Sequence, residues 1–175
     1  MPHWKKVSMD DYKYTTDEVY EDIEFRSELD LLTSNSNAIY YAYQLADKPC
    51  KTVDTKVYVI SSLPDYENSL EVGDQLLKID GESYTTLEEF QEAILKVDTE
   101  DVSVTVLRDG KEKNISCHLY SEGDRKLLGV LLQSLSTYET DPEVDFHFEK
   151  NESGPSAGLI TTLSIYDQLT KKDLT

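Results

Sequence analysis

A chain of 175 residues with 35 acidic and 17 basic side chains carries a formal charge of -18 at neutral pH. That charge repels a phosphate backbone, and no lysine or arginine run reverses it locally, so nucleic acid is excluded as an expected partner and unaided docking on an anionic membrane surface is opposed. The length allows one domain or two small ones, and the longest apolar run, "LLGVLL" (127–132), falls far short of the roughly 18 residues that would cross a bilayer.

In chain order, the opening "MPHWKKVSMDDY" holds no apolar stretch of the kind found in a secretory signal. Residues 15–32 are acidic, with apolar side chains at Val19, Ile23, Phe25, Leu29 and Leu32, a spacing that predicts an amphipathic helix with a Thr or Asp N-cap. The cap-rich "TSNSN" then predicts a second helix over 37–45, with Ala38, Tyr41, Ala42 and Leu45 on one face and Pro49 ending the helical region. From Thr52 the period shortens. "KVYVI" reads as a strand, Gly73-Asp74 as a turn, 75–79 as a second strand, and Asp80-Gly81 as another turn.

Thr86 and Glu89 have the spacing of a capping box, so a helix is predicted over 87–96. Next, Val102, Val104 and Val106 alternate with polar residues, Asp109-Gly110 suits a two-residue turn, and Ile115, Cys117 and Leu119 alternate on the return, which predicts a β-hairpin. "SEGDRK" (121–126) reads as a polar linker, followed by the apolar "LLGVLL" and the alternating "VDFHF" (144–148). A last helix is predicted over 155–170 with Leu159, Ile160, Leu163, Tyr166 and Leu169 facing inward.

Cys50 and Cys117 stand without Cys-x-x-Cys spacing, and His3, His118 and His147 are scattered, so neither a metal site nor a cofactor is expected. No Walker-type phosphate loop occurs, so no ATP-driven step is expected within this chain.

The stretch "LEVGDQLLKIDG" (70–81) resembles the "L-x-x-G-D-x-I-x-x-I-D-G" hallmark of bacterial PDZ domains, and "VTVLRDGK" (104–111) resembles their later "V-x-V-x-R-x-G". The resemblance implies a PDZ-like β-sandwich or barrel with a flanking helix, over 52–122, that pairs an extended peptide with the edge of a strand beside the helix. The expected groove lies between Val57, Tyr58 and Val59 on the strand and Leu87, Phe90 and Ile94 on the helix. One departure bears on its ligand: "TVDTKV" before that strand has no glycine, and Asp54 within it would repel a terminal carboxylate. Capture of an internal strand, or a spacer role, stays open beside carboxylate capture.

Near the end stands Gly154-Pro155-Ser156-Ala157-Gly158. Taken alone it has a structural explanation, since Ser is a preferred N-cap and Pro is common in a first helical turn. It also resembles the "G-P-S-A-G" of Lon-type proteases, and "IYDQLT" with the "DLT" ending resembles a PDZ-containing, membrane-anchored branch of that family in Gram-positive bacteria. That resemblance implies that Ser156 is the nucleophile of a serine/lysine dyad, with Gly154, Pro155 and Ala157 forming its active-site loop. A helix N-terminus suits the role, because its unpaired N–H groups can stabilise an oxyanion.

The general base is the missing part. Lys171 and Lys172 lie 15 and 16 positions further along the same predicted helix, more than roughly 20 Å away at about 1.5 Å per residue. Lys150 would need the chain to double back. In the resembled family the dyad lysine follows the serine by several dozen residues, which places it beyond Thr175.

The combined expectation is an α+β chain: helices over 1–51, a PDZ domain over 52–122, and over 123–175 the truncated start of a Lon-type α+β protease domain. Its parent would be an ATP-independent endopeptidase on the extracytoplasmic face of the membrane, anchored through a segment not in this chain and acting on exported peptides or membrane-protein segments. The fragment itself is expected to be soluble and inactive. The alternative is a non-catalytic PDZ peptide-binding or scaffold module.

Overall fold

The computed structural model describes residues 13–15, 18–143 and 155–171, with side chains over 158–170 in the last segment. The alternating "VDFHF" and Gly154 lie outside the described residues.

One helix, α1 (Tyr20–Leu45), replaces the two expected. The polar run at 33–37 does not act as a break because its side chains are spent on a neighbouring strand: the Ser36 hydroxyl donates to the Ser136 carbonyl, and Thr33 Oγ1 accepts from Gln133 at 3.2 Å. The N-cap is Val19, which has no side-chain acceptor, and its own N–H is met by the Asp22 carboxylate at 3.4 Å. Ile23, Arg26 and Leu29 are buried in the first half of the helix and Ala38, Ala42 and Tyr43 in the second, whereas Val19, Leu32, Tyr41 and Leu45 are exposed.

The strands are β1 (Cys50–Ser62), β2 (Gln75–Ile79), β3 (Glu82–Ser83), β4 (Asp101–Arg108), β5 (Lys111–His118), β6 (Tyr120–Glu122), β7 (Arg125–Leu127) and β8 (Val130–Thr140). One antiparallel sheet has the order β5-β4-β2-β1-β8, with β3 added to β2, and β6 and β7 form a separate hairpin. The predicted β4/β5 hairpin is present, with Asp109 and Gly110 both at positive φ, 53° and 72°. The stretch 121–126, read as a linker, is instead the tip of the β6–β7 hairpin, and β8 beyond it is the outermost strand of the main sheet.

Helix α2 (Leu87–Lys96) begins at the expected capping box: Glu89 N–H donates to Thr86 Oγ1 at 3.2 Å and the Glu89 carboxylate accepts from Thr86 N–H at 3.1 Å. It buries Phe90, Ala93 and Ile94 against Val57, Val59, Leu76, Val104 and Val106 of the sheet, forming the main core. On the other face of β1, Tyr58 meets Phe25 of α1 edge to face, with ring centroids 5.8 Å apart. Sheet and helices thus form three layers, with α2 on one side and α1 on the other.

Helix α3 (Pro155–Lys171) packs on α1 through Ile165 and Leu169 against Ala38, Ala42 and Tyr43. The small alanines let the helices approach, and at Gly158 a Cβ would stand 2.9 Å from Ser34 Oγ. The inward face is therefore narrower than expected. Leu169 is buried, while Leu159, Ile160, Leu163 and Tyr166 are exposed.

Candidate functional site

The sheet edge beside α2 belongs to β8, not β1. β1 is flanked by β2 on one side and β8 on the other, so its main-chain groups are already paired. Val57 and Val59 are fully buried in the core, Phe90 is buried beside them, and Tyr58 points to the opposite face against Phe25. Of the six expected groove residues, Leu87 and Ile94 line the cleft.

Register defines what β8 offers. Val130 stands opposite Ser62, and the bond next to this pair runs from Leu63 N–H to the Gly129 carbonyl at 2.9 Å. That is the pattern of a non-hydrogen-bonded pair, in which the paired residues turn their own N–H and C=O away from each other. Val130 therefore presents both groups outward. Period-two alternation repeats this at Leu132, opposite Val59, and at Ser134, opposite Val57. The opposite side of the ladder agrees: Val59 N–H donates to Asp74 O and Val59 O accepts from Gly73 N–H, both at 2.9 Å and both towards β2. The two register irregularities fall on β1, at Val53 and Ile60, and leave the alternation of β8 unbroken.

Between this edge and α2 runs a groove of about 540 Å³. Leu87, Gln91, Ile94 and Leu95 form the helix side, and Leu128, Val130 and Leu132 the strand side. The outward main-chain groups are bordered by aliphatic walls, the combination that strand addition needs: ladder bonds for pairing and apolar recesses for alternate side chains.

The segment at the head of the groove, 125–129, is β7 and the two-residue connection to β8, and it contains Arg125, Lys126 and Gly129. Lys126 is committed, its ammonium donating to the Val97 carbonyl at the C-terminal end of α2, which ties this segment to the helix. Gly129 has φ +74, and a Cβ there would stand 2.5 Å from Tyr66 Cβ. Its carbonyl also accepts from Asn68 Nδ2 at 3.2 Å, while Asn68 Oδ1 accepts from Leu70 N–H at 2.8 Å. Only glycine fits this position, and the fixed carbonyl aims the next amide, Val130 N–H, the opposite way across its planar peptide. A glycine thus precedes β8, whereas "TVDTKV", which lies within β1, has none; in the sequence it shows as the glycine ahead of the apolar strand in "LLGVLL".

Ser156 lies in the first turn of α3, which starts at Pro155. The side chains of Pro155, Ser156 and Ala157 fall outside the described residues, so no base is placed beside that serine. Among the described residues no cluster of His, Cys, Asp and Glu could hold a metal ion, and no helix is long and apolar enough to cross a membrane.

A protein-family model described as "PDZ domain" matches residues 31–119. No curated protein matches the chain. Two solved structures are similar: the PDZ domain of the SdrC-like protein from Listeria monocytogenes, at 22% identity over 47% of this chain and 92% of that one, and its counterpart from Listeria innocua, at 26% identity over 44% and 92%. Each has a TM-score of 0.40. With the family match running over more than half of its length, this chain belongs to the PDZ domain family.

Proposed function

We propose that this chain binds an extended peptide by adding it as a sixth strand in the main path of the sheet, antiparallel to β8, with alternate side chains lowered into the groove against α2. One observation carries this reading: the outward N–H and C=O groups of Val130, Leu132 and Ser134 stand beside an aliphatic cleft. Antiparallel addition brings the C-terminal end of the peptide to the segment 125–129. There Val130 N–H and the nearby Arg125 favour a free carboxylate, so the ligand is a peptide terminus with an aliphatic last residue. Asp54 sits at the far end of the sheet, opposite Thr137, and does not oppose this.

The test is calorimetric titration with a pentapeptide ending in Thr-Val-Leu, followed by an N-methyl scan along it. Affinity should fall at alternate residues only, where an N–H meets β8, and amidation of the last residue should weaken binding about tenfold. Equal losses at every position would rule out strand addition.

The sequence supports a wider second reading, that the chain is part of an ATP-independent serine endopeptidase in which this groove positions the substrate. Its basis is "GPSAG" with Ser156 in the first turn of α3 and the "IYDQLT" that follows. In that reading Ser156 attacks the scissile carbonyl, a lysine beyond Thr175 takes its proton, the parent is anchored in the membrane with its domains on the extracytoplasmic side, and exported peptides or membrane-protein segments are the substrates. A longer chain continuing past Thr175 should cleave a peptide library and lose that activity with Ser156→Ala. Undiminished cleavage by the variant would end the protease reading.

A further inference from the structure

The free edge of β8 does not run the length of the strand. After Val130, Leu132 and Ser134, the next residue whose main chain turns outward is Ser136, and its carbonyl is already taken by the Ser36 hydroxyl of α1. The contact is braced on both sides. Ser136 Oγ meets Thr55 Oγ1 at 3.0 Å, Gln133 Nε2 reaches Asp30 and Thr33 of α1 at 3.1 and 3.2 Å, and further along the Tyr40 and Tyr138 rings lie 5.3 Å apart. Helix α1 therefore begins behind the sheet, at Phe25 against Tyr58, and arrives at the outer edge of β8 by Ser36.

We propose that α1, at Ser36, is the end-stop of the binding edge: a ligand strand pairs with Val130, Leu132 and Ser134 and must leave the sheet before Ser136. This rests on the peptide-binding reading above and adds to it the point on β8 at which pairing must stop. Three outward residues at two-residue spacing correspond to about five ligand residues counted back from the C-terminus. Residues N-terminal to these pass over α1 without main-chain pairing, so recognition is confined to a short terminal stretch of the ligand, whatever length of chain precedes it.

The experiment uses peptides of three to nine residues, all ending in Thr-Val-Leu with free carboxyl ends, against the whole chain. Affinity should rise roughly two- to tenfold for each pair of residues added up to about five, since each gains main-chain bonds, and then change less than about twofold. Amide chemical shifts of Val130, Leu132 and Ser134 should move on binding, while that of Ser136 should not. As a second measurement, a Ser36→Cys, Cys50→Ser variant is mixed with peptides whose N-terminal cysteine is capped as a 2-thiopyridyl disulfide. The thiolate introduced on α1 attacks the peptide's cysteine sulfur and displaces 2-thiopyridone, whose absorbance is read, and peptides of about six residues should react at least tenfold faster than those of three.

Affinity that keeps climbing to nine residues, shifts that spread through Ser136, or a trapping rate independent of peptide length would each overturn the end-stop while leaving peptide binding intact. Absence of any shift at Val130, Leu132 and Ser134 with every peptide would overturn both.

Discussion

Arg108 holds Asp74 with two parallel bonds, Nε to Oδ1 and Nη2 to Oδ2, each at 2.6 Å. The carboxylate is fully buried, its second oxygen also accepts Glu71 N–H at 2.9 Å, and Arg108 Nη2 adds a bond to the Ser69 carbonyl at 3.0 Å. The two sequence signatures, "GD" at 73–74 and "R-x-G" at 108–110, are thus the halves of one ion pair, buried at Asp74 and half-buried at Arg108, linking the turn before β2 to the end of β4. Arg108 is half-buried and also bonds the exposed Glu71 carboxylate at 2.5 Å, so it keeps a partner when Asp74 is neutralised, whereas Asp74 without Arg108 is a stranded buried charge. Asp74→Asn is expected to cost about 2–3 kcal/mol in urea denaturation, and Arg108→Lys is expected to be a poor substitute because an ammonium cannot make the two-pronged contact. A loss below about 1 kcal/mol in Asp74→Asn, the range of an exposed pair, would show that the pair is not what fixes the turn.

The parts of the fold that can be read from sequence are those set by neighbours in the chain. The capping box at Thr86 and Glu89, the turn at Asp109-Gly110 and the alternating valines of β4 each depend on residues within one hairpin or one helical turn. What sequence does not reveal is non-local. β8 finds its partner in β1, with Val130 opposite Ser62 and Thr140 opposite Cys50, across the whole intervening domain. Its sequence "VLLQSLSTYET" lacks a clean apolar alternation because its two faces meet different neighbours and its edge is open. Sequence reasoning therefore looks for an open edge at β1, whereas the structure has β8 as the outer strand beside α2. The fusion of two expected helices into α1 has the same origin: Thr33 and Ser36 look like caps until β8 is present to receive them.

The Glu18–Arg26 pair gives the fold an acid sensitivity. Both side chains are buried, Nη2 to Oε2 is 3.0 Å, Tyr14 N–H donates to Oε2 at 2.8 Å, and the guanidinium lies 3.8 Å from the centre of the Tyr14 ring. The hydrogen-bonded guanidinium holds the Glu18 carboxyl below its usual range, although burial opposes the shift. A lowered folded pKa means that the contribution is complete above the ordinary glutamate range, near about 4.3, and is lost as pH falls through the folded value. The urea midpoint should drop between about pH 5 and pH 3 more steeply in the wild type than in a Glu18→Gln, Arg26→Met double variant. Parallel pH profiles would remove this pair from the acid transition.

Cys117 offers a chemical probe of the core. It is fully buried, and desolvation, with the nearby Asp74 charge adding to it, pushes its thiol up to about 11. At pH 8 about one molecule in a thousand would carry the reactive thiolate. Cys50, at the start of β1, is half-buried and raised by burial alone. Disulfide exchange with an aromatic disulfide reagent should therefore release one equivalent slowly in native protein and the second only in urea. In Asp74→Asn the Cys117 thiol should titrate lower. Two equivalents released together from folded protein would mean that β5 opens far more readily than its buried pairing with β4 implies.

Gly129 is the position where the fold and the proposed binding are least separable. Its φ of +74 already disfavours any side chain, and a Cβ at 2.5 Å from Tyr66 Cβ would have to displace the segment that carries Asn68. Gly129→Ala is thus expected to cost about 1–3 kcal/mol, through backbone strain and the lost fit against Tyr66. The displacement also moves the carbonyl that Leu63 N–H and Asn68 Nδ2 hold, and with it the aim of Val130 N–H at the head of the groove. Asn68→Ala removes the side-chain restraint on that carbonyl, together with the Oδ1 acceptor of Leu70 N–H, and leaves the φ of Gly129 untouched. Measured by urea denaturation and by titration with the Thr-Val-Leu pentapeptide, Gly129→Ala should lose both stability and at least tenfold in affinity. Asn68→Ala should lose affinity while retaining most of its stability. If both variants bind the peptide as the wild type does, the loop does not position the ligand, and strand pairing along β8 must supply the affinity without it.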